Sequence, residues 1–434
     1  MIKLIKVSIL LLFLNSCSLD TKSGLWTKTE KTKVKINKNI EDISKTKIKL
    51  NREFNTNIKI KIDSKLFNST NFNYLDNNIR RVSFESDLKN KRKYKFSKIK
   101  DFNKFEPDLV FDKENVIIFQ SKGTIIKFDK NSKLIWKKNH YKKYEKKLNP
   151  ILFFSSNNKV IIVADNISNY YAINNYSGDL LWKKNNPAPF NSQIKIYKDM
   201  FFVTDFNNTL RCFSILDGKE LWNYKTDKSL IKSQQKLSIA IQDDKVFFNN
   251  SIGDISALSI NDGNLLWQRP TQNNLVFENS FLLKNSELVA VKDSILFSNN
   301  RNEFYSLDIN SGNLRWKQEI NSNINPIVIN DLIFSVSNDG FLYILRKLDG
   351  SILRITNIFD IFKPKKRKKT LTQGFVVTGN KIYLSTNNGY ILTIDIESGK
   401  TERYIKIDNS KISKPFIVKK FLYVVKDNSI IKLN

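Results

Sequence analysis

The sequence predicts an all-β fold, arranged as a closed ring of eight four-stranded blades. Three observations predict it. A turn-and-strand unit recurs along most of the chain, apolar and polar residues alternate with a period of two between its copies, and the last copy breaks off before its final strand.

The recurring unit is read from seven stretches: 128–136 (FDKNSKLIW), 173–182 (INNYSGDLLW), 214–222 (SILDGKELW), 259–267 (SINDGNLLW), 307–316 (LDINSGNLRW), 345–354 (LRKLDGSILR) and 394–403 (IDIESGKTER). Aligned on the turn, Gly178, Gly218, Gly263, Gly312, Gly350 and Gly399 share one position, with Ser132 in the first copy. The turn needs a positive φ, which glycine supplies at least cost. Four residues further on stand Trp136, Trp182, Trp222, Trp267 and Trp316, then Arg354 and Arg403, spaced by 46, 40, 45, 49, 38 and 49 residues. That spacing holds one four-stranded sheet, and radial closure of such sheets is a β-propeller. The tryptophans are expected to be structural, locking each blade to its neighbour.

The C-terminal stretches 414–420, 421–427 and 428–434 supply three strands of an eighth blade and no fourth. A ring cannot leave that gap, so the alternating segment Lys91–Ile99 is expected to complete the blade, with Tyr94 or Phe96 in the tryptophan's place.

The N-terminus reads as an export signal: Lys3 and Lys6, an apolar run from Val7 to Leu14 too short to span a bilayer, then polar residues. Leu14-Asn15-Ser16-Cys17 has the layout of a bacterial lipobox, which makes Cys17 the expected lipidation (palmitate-type acylation) site and mature N-terminus. Ser18 and Leu19 follow, with no aspartate to argue for retention at the inner membrane. The expected organisation is therefore a signal peptide over 1–16, a polar tether over 17–65 and the propeller over 66–434.

Basic residues outnumber acidic ones by 73 to 42, but Lys, Asn and Ile are abundant throughout, as in the product of an AT-rich gene. A broadly solvated basic surface is expected, with no nucleic-acid partner. The one dense cluster is Lys363, Lys365, Lys366, Arg367, Lys368 and Lys369, between the sixth and seventh blades; anionic headgroups or an acidic protein surface would suit it.

No constellation suggests catalysis. Asp217, Asp262, Asp308 and Asp349 sit on turns, where aspartate caps its own backbone. His140, the single histidine, is expected on an exposed loop and makes no metal site alone. Cys212 has no partner once Cys17 is lipidated and is expected to be a small buried side chain. No catalytic residue, metal or cofactor is expected.

The repeat, close to (A/S)-(L/I)-(D/N/S)-x-x-(S/D)-G-x-x-x-W, resembles the tryptophan-docking repeat of quinoproteins. With the lipobox and a single ring, the chain resembles the BamB family of outer-membrane assembly lipoproteins over about residues 85–434. The resemblance implies a non-enzymatic scaffold on the periplasmic face of the outer membrane. Such a scaffold binds the POTRA domains of the barrel-inserting subunit, sits with other assembly lipoproteins and helps unfolded barrel proteins to insert. It further implies a partner contact in the loop after Trp222, where Leu230, Ile231 and Lys232 are the nearest matches; the family's aspartate pair has no counterpart at 282–286. Two other functions fit the repeat: a dehydrogenase dependent on pyrroloquinoline quinone, and a propeller binding glycan or cell wall.

Overall fold

The computed structural model describes residues 52–69, 75–100, 102, 104–105, 107–226, 235–271 and 283–434. These form eight four-stranded antiparallel sheets, each a meander from an inner to an outer strand. The inner strands, such as Val289–Val291 and Ile327–Ile329, and the two that follow them in each blade are mostly apolar and buried, because both faces of each blade pack against a neighbour.

The outer strands read differently. Every hairpin that leads into one shifts register just before the tryptophan position, as at Ala257/Leu258 opposite Leu265 and Trp267. The extra residue is a bulge, so the strict alternation fails there. Leu265 and Leu266 both face solvent while Trp267 turns inward. Aspartate turns precede these strands: Asp217, Asp262 and Asp349 each accept the N–H two residues on, and Asp308 accepts from Asn310 and Ser311.

Lys91–Lys95 closes the ring by pairing with Ser429–Leu433. The register corrects one detail. Arg92 lies opposite Lys432, the equivalent of Trp136 opposite Lys127. Tyr94, two residues along and fully buried, supplies the docking bond by donating its hydroxyl to the Lys130 carbonyl at 3.1 Å.

Residues 52–62 also lie against the ring. Phe54 bridges Ile355 at the outer edge of the sixth blade, the Ile60 N–H donates to the Glu397 carbonyl, and Ile60 joins the core between blades six and seven. Phe54, Ile58, Ile60 and Ile62 form a short apolar alternation that the ring uses as an added edge.

Candidate functional site: the central channel and its loop face

Inner strands of all eight blades run the same way, so each begins on the face where an outer strand hands over to the next blade. On that face the channel opens into a cavity of about 300 Å³ lined by Lys195, Lys236, Glu287, Asp108, Lys411 and Lys414, among others. On the opposite face residues 75–82 cross the channel and close it. The Leu75 and Asp76 carbonyls accept from the Ile241 and Ala290 N–H groups, and the Val82 N–H donates to the Val377 carbonyl. Asn77 donates to the Ile239 and Leu288 carbonyls at 2.9 and 2.8 Å, and Asn78 exchanges two bonds with Val328. The strap thus satisfies the inner rims of blades four to seven with its own backbone and amides, as buried polar groups require.

Both acids inside the channel are paired with lysines. Glu287 meets Lys414 at 3.2 Å and the Asn325 amide, and Lys236 meets Asp108. Burial pushes the Glu287 carboxyl up, but Lys414, Lys236, the Asn325 amide and Lys195 together outweigh it and bring the group down to about 2. Lys195, fully enclosed, donates to Asn77 Oδ1 at 2.5 Å, and desolvation lowers it to about 8 against the pull of Glu287 and Asp76. Among the described residues no three His, Cys, Asp or Glu side chains gather at metal-binding distance. The donors facing the channel are lysines and amides, and its two acids are already held by lysines, so the lining does not fit a quinone carried on calcium.

The other sequence-selected residues lie apart. His140 is half-buried, not exposed: its Nε2 lies 3.0 Å from the Gly178 carbonyl, its ring packs edge-on against Tyr171, and burial lowers its pKa. The loop tucks under the next blade's glycine turn, a neighbour that local sequence does not reveal. Cys212 is buried beside Met200, its thiol pushed up to about 12 by burial. Cys17 and the loop residues Leu230, Ile231 and Lys232 lie outside the described residues. Sequence reasoning missed the channel strap, since Asn77 and Asn78 precede the first repeat and resemble any polar turn.

Each of the five repeat tryptophans reaches across to the next blade. The indole N–H groups of Trp136, Trp182, Trp222, Trp267 and Trp316 donate to the carbonyls of Asn175, Ile215, Ile260, Ile309 and Lys347. All five acceptors stand three residues before the glycine of the receiving turn. The rings lie so close beneath those glycines that a Cβ on Gly263 would sit 2.5 Å from Trp222.

Comparisons with known proteins match this geometry. No curated protein matches the sequence. Among solved structures, BamB from Moraxella catarrhalis superposes with a TM-score of 0.62 at 14% identity, covering 79% of this chain and 100% of that one. A europium-containing methanol dehydrogenase gives 0.62 at 11%, covering 83% and 90%. A quinohemoprotein alcohol dehydrogenase from Comamonas testosteroni gives 0.60 at 10%, covering 85% and 81%. At these identities the likeness is one of fold. The model of the family described as outer membrane protein assembly factor BamB matches residues 121–356, more than half of the sequence and six of its tryptophan-position repeats, and the chain belongs to that family.

Proposed function

We propose that the chain is a non-catalytic scaffold of outer-membrane β-barrel assembly, anchored through Cys17 on the periplasmic face of the outer membrane. Its loop face binds the periplasmic POTRA domains of the barrel-inserting subunit, alongside the other lipoproteins of that machinery, and so assists insertion of barrel proteins. Membership of the BamB family carries this reading. The channel supports it, because the strap over 75–82 and a lysine-rich lining whose two acids are already held by lysines are unsuited to quinone and calcium, and the surface that remains for recognition is the rim of loops.

Capture of the barrel-inserting subunit by the purified protein tests the proposal. Binding is expected, and a Leu230→Ala/Ile231→Ala/Lys232→Ala variant that melts normally should bind at least tenfold more weakly, as truncation of interface anchors does. Undiminished binding would remove that loop from the interface. The dehydrogenase reading, favoured only by the two structural likenesses, predicts dye reduction on alcohols after reconstitution with quinone and calcium; no activity is expected.

A further inference from the structure

The loop between the sixth and seventh blades is built with unusual care for a run of charge. It carries six cations between residues 363 and 369, around a short helix Pro364–Arg367. Two of them are consumed in holding it. Lys366 places its ammonium over three rings, 3.8 Å from the centroid of Tyr390, 4.2 Å from Phe362 and 4.9 Å from Tyr404. Arg367 donates to the Asp360 carboxylate at 2.6 Å and to its carbonyl at 3.2 Å. Asn387 fastens the far end, donating to the Lys369 carbonyl and accepting from the Leu371 N–H.

Lys363, Lys365, Lys368 and Lys369 remain exposed, with no ion pair among the described residues. Beside them Ile361 and Leu371 are 38% and 47% exposed. A solvated charge run needs neither a rigid frame nor flanking aliphatic side chains. Cations ringed by a few exposed apolar groups are the composition of a surface that meets lipid headgroups.

The first described residues of the chain lie at the same corner. Arg52 pairs with Asp339 at 2.7 Å, and Glu53 accepts from the Asn357 N–H. The hairpin that bears Asp339 in turn bonds both ends of the basic loop, through Gly340 to Ile358 and Asn338 to Thr372.

We propose that this corner, Lys363, Lys365, Lys368 and Lys369 with Ile361 and Leu371, docks the propeller onto the anionic surface of the membrane that holds its anchor. The proposal rests on the lipoprotein reading above for its membrane, and its chemistry is tested without the lipid. The full chain carrying Cys17→Ser is sedimented with vesicles of phosphatidylcholine alone or containing one-third phosphatidylglycerol, at increasing salt. Binding to the anionic vesicles only is expected. It should weaken about tenfold or more in Lys363→Gln/Lys365→Gln/Lys368→Gln/Lys369→Gln, and by less than about twofold in Lys133→Gln/Lys137→Gln/Lys219→Gln/Lys225→Gln, which removes the same charge from the blade edges. Equal loss in both variants would reduce the effect to net charge and overturn the proposal. So would absence of vesicle binding, release by millimolar inorganic phosphate, or capture of an acidic protein in preference to vesicles. Capture of the barrel-inserting subunit should be unchanged in the first variant, which keeps failure here distinct from failure of the scaffold reading.

Discussion

Five joints of the ring and the sixth solve one packing problem with different chemistry. At the tryptophan joints an indole slides under a glycine turn and donates one N–H to one carbonyl. At the joint between blades six and seven Arg354 holds the same place, fully buried, and also donates to the equivalent carbonyl, that of Ile396, at 2.8 Å. Its guanidinium has donors to spare. One reaches the Glu397 carbonyl and another the Ile58 carbonyl of the N-terminal segment at 2.9 Å. Arg403 does likewise at the next joint, with the Ser86 carbonyl and Asp87. The tryptophan is replaced where a third layer of chain lies on the ring, because a planar fork of donors can bind two partners at once and an indole cannot. Desolvation brings Arg354 down to about 10, against the opposing charge of Asp395.

The largest expected effect that sharpens this contrast comes from truncating each type of joint. Trp267→Ala should destabilise the fold by about 3–5 kcal/mol in urea titration, as loss of a buried large aromatic does. It should leave protease resistance of residues 52–62 intact. Arg354→Ala should cost about 2–4 kcal/mol through its unpaired carbonyls and make that segment the first site of proteolysis. Equal exposure of the segment in both variants would break the distinction.

Next in size is the channel. The Glu287 carboxyl lies below its ordinary 4.5, at about 2. A group depressed in the folded state contributes stability that is present in full above the ordinary value and is lost as pH falls through the folded one. Unfolding free energy should therefore fall between about pH 4.5 and 2 by up to about 3 kcal/mol, and Glu287→Gln should flatten that slope. An unchanged slope would place the acid sensitivity elsewhere. Smallest is Gly263→Ala, which meets a φ of +73° and the Trp222 ring; a loss of about 1–2 kcal/mol by thermal melting is expected. The same change at Gly379, where a Cβ meets nothing within 4 Å, should be close to neutral.

Much of this architecture was legible in the chain. The glycine and tryptophan positions named seven blades, and the truncated C-terminal copy required the strand that Lys91–Lys95 supplies. Local rules suffice there, since a positive-φ turn, a period of two and a missing partner are properties of short segments. They did not suffice for residue 60, His140 or the channel strap, whose partners lie 337, 38 and more than 160 residues away.

The sequence by itself determined the ring, because each blade repeats one local solution and closure follows from counting. Only the tertiary structure decided which residues face the channel, where the strap crosses it, and that Lys366 and Arg367 are spent on fixing a loop whose other lysines stay exposed. Those outcomes depend on which carbonyls, rings and charges converge from separate blades, and no local pattern of residues encodes that convergence.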